Sequence, residues 1–208
     1  NYIHNLLLQV GHTKPTKRQL LSHKHCKISC GAKEQYTHTL SPSPALDEKG
    51  VKRVQEIVGP LLFYTRAVDN KLLVAINTIR EQASATEATN KAVTKLLDYV
   101  TTYPDNGLLY CASDMVITVH TDTVFHNETN SCSRAGAYIF LAEDDPHPRW
   151  NGAILTVAQI IKFVMVSSAK AELGALFIAT KRSYPFARPL LKWDGVSPPR
   201  PFKQTILQ

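Results

Sequence analysis

The sequence predicts an α+β protein in which a small helical unit precedes a sheet with one helix packed on it. Three observations carry this reading. Residues 47–104 place apolar side chains at i, i+3 and i+4 intervals in three successive blocks. Residues 115–122, 134–141 and 152–159 are short runs rich in β-branched and apolar residues, the pattern of half-buried strands. A helical pattern resumes at Ser167 and carries Glu172 on the edge of an apolar stripe with Ala175, Leu176 and Ala179.

Composition sets the outer bounds. A chain of 208 residues, 44% hydrophobic and 20% charged, can bury one or two cores. Its net charge of +7 and pI near 9.2 favour a polyanionic partner. The chain opens on Asn1 with no methionine before it, which predicts a piece of a longer polypeptide. Four cysteines without a secretory signal predict reduced thiols and an intracellular location, cytoplasmic or nuclear. The most apolar run, residues 152–166, is interrupted by Gln159 and Lys162 and falls short of the roughly 20 residues of a membrane span.

Taken in order, the first ten residues put Ile3, Leu6, Leu7 and Val10 at helical spacing, which predicts a short docked helix. Residues 11–44 then read as an irregular basic arm, so residues 1–46 form a first region. Within it Lys14, Lys17, Arg18, Lys24 and Lys27 are the candidates for phosphate contacts. The His23-Lys-His-Cys-Lys-Ile-Ser-Cys30 stretch has His and Cys at metal-like spacing. A closed zinc site needs four ligands and no second pair lies at a suitable distance, so it reads as a solvated loop.

The second region, residues 47–104, is a three-helix unit. Asp47 is placed to cap a helix through Val51, Val54, Ile57, Val58, Leu61 and Leu62, which Gly59-Pro60 is expected to bend or break. A second helix follows Asp69, through Leu72, Leu73, Ala75, Ile76 and Ile79. Thr86 caps a third, with Ala88, Ala92, Leu96, Val100 and Tyr103 on one face and Pro104 at its end. Asp105-Asn-Gly107 turns the chain into the third region, residues 105–208.

In that region residues 108–111 are expected to be a strand or a leading extension of one. Met115 to Asp122 is a strand ending on a carboxylate. Asp144 and Asp145, beside Pro146, read as a solvated turn. Ser167-Ser168 has no G-x-S-x-G elbow around it and is not a nucleophile motif. Phe125 and Tyr138 read as core as readily as base-stacking residues.

Five motifs in order carry a resemblance. They are Val54-Gln-Glu-Ile-Val-Gly-Pro-Leu-Leu-Phe-Tyr-Thr-Arg-Ala-Val-Asp69, Ala112-Ser-Asp-Met-Val116, Val119-His-Thr-Asp122, Ser133-Arg-Ala-Gly136 and Ala171-Glu-Leu-Gly-Ala-Leu176. Together they resemble the Pol polyprotein of copia-type retrotransposons, a transposable element, from the end of the reverse transcriptase through the ribonuclease H domain. The resemblance runs from Tyr2 to Thr205. It implies that the helical unit is the reverse transcriptase thumb or connection and that the third region is a truncated ribonuclease H-like mixed sheet. It also implies as partners an RNA–DNA hybrid or other nucleic acid and the remainder of the polyprotein, with no membrane.

The family cleaves the RNA strand of RNA–DNA hybrids with two divalent ions, Mg2+ or Mn2+, about 4 Å apart on hard carboxylate ligands. Carried over, Asp122 and Glu172 are the catalytic and metal-binding acids. Two departures argue against activity. Where the family places a third acid after Gln-Thr, this chain has Ile206. Where it places a Glu before the catalytic one, this chain has Lys170. The expectation is a polyprotein fragment that no longer cleaves, with a non-catalytic nucleic-acid-binding module or a decayed relic as the alternatives.

Overall fold

The computed structural model describes residues 2–23, 43–80, 84–125, 132–193 and 203–206, the side chains of 188–193 and 203–206 excepted. They form two compact units, the first ending at Gly107 and the second starting at Leu108. Among these residues no helix is long and apolar enough to cross a membrane.

The first unit contains helices α1 (Tyr2–Gln9), α2 (Glu48–Ala67), α3 (Leu73–Arg80) and α4 (Glu87–Thr102), with one 3-10 turn at Asn70–Leu72. α1 buries Ile3 and Leu6 in a core with Ile57, Leu61, Ile76, Leu96 and Leu97, as its spacing predicts. Asp47 caps α2 by accepting the Gly50 amide, and Thr86 caps α4 in a reciprocal box with Thr89. Asp69 caps the 3-10 turn through the Lys71 amide.

Two expectations for the helices need correction. α2 continues through Gly59-Pro60 without a break to Ala67. The residue before a proline resists the helical conformation because its Cβ crowds the proline ring, and Gly59 has no Cβ. The stripe of Val54, Ile57, Val58, Leu61 and Tyr64 is buried on both sides of the proline, so packing supports the helix across it. The buried face of α4 is also rotated from the predicted one. It consists of Thr89, Val93, Leu96, Leu97 and Val100, while Ala88 and Ala92 are half-buried. An alanine offers little area to bury, so the larger Val93 and Leu97 win the core.

The basic arm, as far as His23, is joined to the same unit as the helices. His12 Nε2 pairs with Asp98 Oδ1 at 2.9 Å, the Gln19 amide donates to Thr102 Oγ1 at 3.2 Å, and Lys95 Nζ donates to the His23 carbonyl at 3.3 Å. All three partners lie on α4, so this stretch of the arm is strapped along that helix.

The second unit is a mixed sheet with a helix on one face. β1 (Val116–Val124), β2 (Ser133–Ala142) and β3 (Ala153–Ile161) are antiparallel neighbours, α5 (Ser168–Trp193) follows, and β4 (Lys203–Ile206) runs parallel to β1. The order across the sheet is β3-β2-β1-β4. α5 lays Ala171, Ala175, Ala179 and Ser183 on the sheet, each buried and four residues apart. These small side chains let the helix sit close to Ile117, Val119, Ala137 and Ile139.

Residues 108–111 are not a strand. The Asn151 side chain takes the place of one, accepting the Cys111 amide at 2.8 Å and donating to the Cys111 carbonyl at 2.9 Å. Beside it the Tyr110 ring passes so close to Gly152 that a Cβ there would meet it at 2.7 Å, and Tyr110 donates to the Ala153 carbonyl. Met115, at the entry to β1, has a left-handed backbone with φ 61°.

Candidate functional site

Side chains alternate along β1, and the contacts settle which face each residue serves. Ile117 and Val119 pack toward α5, so the odd-numbered residues face the helix and the even-numbered ones face away. The even face carries His120, whose ring stacks on Phe140 at 5.4 Å and on Trp150 at 4.5 Å between centroids. Phe140 is fully buried, whereas Trp150 is 62% exposed. Burial among these rings lowers the His120 pKa from its ordinary value of 6.5, and its Nδ1 is buried with no hydrogen-bond partner among the described residues.

Asp122 falls on this even face by alternation, two residues beyond His120 and two before the strand's end. It is exposed, and its Oδ1 accepts the Thr123 amide at 2.8 Å. Arg134 and Gly136 occupy the same face of β2, opposite Val124 and Asp122 in register. Arg134 is buried and donates to the Ala158 carbonyl on β3.

Glu172 lies on the other side. It sits in the first turns of α5, half-buried, and its Oε1 accepts the Thr123 hydroxyl at 2.6 Å. Its Oε2 is buried with no hydrogen-bond partner among the described residues. The two predicted acids are therefore brought to one residue rather than to each other. Thr123 gives its amide to Asp122 and its hydroxyl to Glu172.

β4 completes the neighbourhood. Its register sets Ile206 beside Thr121, one residue from Asp122 on the adjacent strand. Lys170 is exposed on the first turn of α5, and at two residues' spacing it does not share a face with Glu172. Among the described residues no three His, Cys, Asp or Glu side chains converge on one point.

Asp122 and Glu172 are the residues here that could hold a divalent ion, and the Oε2 of Glu172 is buried without a hydrogen-bond partner among the described residues. The set does not fit a pair of ions. Hard cations need six or more oxygen ligands, largely carboxylate where the metal is held by protein. This junction offers one acid from each face of the sheet and an aliphatic residue at the third position.

The remaining candidates are scattered. Lys14, Lys17 and Arg18 are exposed on the arm, while Lys24 and Lys27 lie outside the described residues, as does most of the His23 to Cys30 stretch. Asp144 and Asp145 are exposed turn residues, with Asp145 accepting the His147 amide, as expected of a solvated turn. Tyr138 is half-buried and donates to the Asn151 carbonyl. Sequence reading missed Thr123 and the His120–Trp150 stack. The signal for Thr123 was available, since a residue next to an inward or outward strand acid must point to the opposite face.

Compared with known proteins, the chain matches no family model and no curated protein.

Proposed function

We propose that the chain belongs to the reverse transcriptase–ribonuclease H region of a copia-type retrotransposon polyprotein, and that its second unit is a ribonuclease H-like module that holds nucleic acid without cutting it. The observation that carries this reading is the order of the second unit. Three antiparallel strands are followed by a helix and then by a strand parallel to the first, with an acid near the end of β1 and another in the first turns of α5. That is the arrangement the sequence motifs imply, and it supports them independently of any one residue.

The loss of cleavage follows from the donor set. Two-metal hydrolysis needs carboxylates around both ions, and here Ile206 stands in register beside the acid-bearing strand end. Retained binding rests on the net charge of +7 and on exposed cations such as Lys14, Lys17 and Arg18. Phosphate contacts of this kind weaken as a power of salt concentration.

The test is a labelled RNA–DNA hybrid offered to the chain and to an Asp122→Asn variant, with Mg2+ or Mn2+. The expected result is no cleavage by either, and binding that falls steeply between about 50 and 200 mM salt. Cleavage that disappears in the variant would overturn the non-cleaving reading. Absence of binding at low salt would leave the relic reading in its place.

A further inference from the structure

We propose that Thr123 takes the place of a cation at the junction of β1 and α5, so that Glu172 is held by a hydroxyl latch and the junction works without metal. The proposal rests on the ribonuclease H-like reading only for the origin of the two acids. The contacts stand by themselves.

The argument starts from what a half-buried carboxylate requires. A charge withdrawn from water needs either a cation or hydrogen-bond donors, and a charge-assisted O–H···O bond of 2.5–2.7 Å is among the strongest a neutral side chain supplies. The Thr123–Glu172 bond, at 2.6 Å, is of that kind. A cation at Glu172 Oε1 would compete with the Thr123 hydroxyl for that oxygen, which leaves only Oε2 to a metal. The amide of the same residue holds Asp122 Oδ1 at 2.8 Å. Backbone and side chain of one residue thus tie down both acids.

Position explains why this residue can do so. Thr123 follows Asp122 on a strand, so its side chain points to the α5 face, where Ile117 and Val119 also point. A β-branched side chain has few rotamers at χ1, which keeps the hydroxyl aimed. An alanine or valine at 123 would leave Glu172 Oε1 without its donor, beside an Oε2 that already lacks one.

The experiment compares thermal unfolding of the full chain with Thr123→Val, Thr123→Ser and Glu172→Gln, each with and without Mn2+, and reads Mn2+ binding by electron paramagnetic resonance. The expected natural chain shows no Mn2+-dependent rise in Tm and no saturable binding at millimolar metal. Thr123→Val lowers Tm by roughly 4–8 °C, the shift of about one kcal/mol in a domain of this size, and Mn2+ restores part of it. Thr123→Ser keeps the natural Tm to within about 2 °C on the same scale. Glu172→Gln keeps an acceptor for the hydroxyl but loses the charge assistance, so its Tm falls by less than that of Thr123→Val, and an unchanged Tm in Glu172→Gln overturns the proposal if Thr123→Val does not fold. A Mn2+-dependent rise in the natural chain that Glu172→Gln abolishes would overturn the proposal, as would a Thr123→Val variant with unchanged Tm. Neither readout involves hybrid binding or cleavage, so this proposal and the functional one can fail separately.

Discussion

Each unit of the molecule holds one carboxylate by hydrogen bonds at the edge of its apolar core, and the two are held differently. In the helical unit Asp69 is 4% exposed, yet both its oxygens are satisfied, Oδ1 by the Lys71 amide at 3.2 Å and Oδ2 by Asn106 Nδ2 at 3.1 Å. Asn106 in turn accepts the Tyr64 hydroxyl. Burial first, and then the Asp69 charge, raise the pKa of the Tyr64 and Tyr99 phenols, so these neighbours stay neutral around it. In the sheet unit Glu172 has one oxygen on Thr123 and one buried without a partner. A buried polar group with all its bonds made is architecture. The Oε2 of Glu172, without a bond among the described residues, gives up stability that Asp69 retains.

That contrast can be broken by mutation. The largest effect is expected at Asp69→Ala, which strands two donors at once. It should lower unfolding free energy by about 2–3 kcal/mol in urea titration, hydrogen bonds to charged groups being worth that much. A loss under about 0.5 kcal/mol would show that the network is ornamental. Next comes Pro60→Ala, which restores a helical amide to α2. It should stabilise the helical unit by about 1–3 kcal/mol, because proline costs roughly 3 kcal/mol in a helix interior and packing has already absorbed part of the strain.

Smaller still is the double replacement Thr123→Val with Glu172→Leu. Removing both partners of a polar pair is often neutral or stabilising, so the double variant should lie within about 1 kcal/mol of the natural chain, above Thr123→Val alone. A double variant that falls below both single ones would make Glu172 as architectural as Asp69. The mildest effect concerns pH. The His120 pKa is lowered by burial, so below its ordinary 6.5 the unfolded chain binds a proton that the folded chain does not. Stability from this group is full above pH 6.5 and is lost as pH falls from there toward the folded pKa. His120→Phe should flatten the fall in Tm across that window, measured against the natural chain at matched ionic strength.

What the sequence determined by itself was local. The caps at Asp47 and Thr86, the strand patterns of β1 to β3 and the start of α5 near Ser167 depend on residues three or four apart, and those interactions are the same wherever the segment lies. An α+β order of a helical unit before a sheet followed directly from them. The tertiary structure decided what depends on a distant partner. It decided that α2 runs through Gly59-Pro60, because the core on both sides outweighs one missing amide. It decided that Val93 and Leu97 are buried in the core of the helical unit, while Ala88 and Ala92 are only half-buried. It decided that an asparagine amide rather than a strand pairs with Cys111. Above all it decided faces. Asp122 and Glu172 are both legible as acids of one motif set, but a strand alternates with every residue, and only the packing of α5 on Ile117 and Val119 fixes which side is which. With that settled, the side chain beside Glu172 is Thr123, because pleating turns each strand residue away from its neighbour.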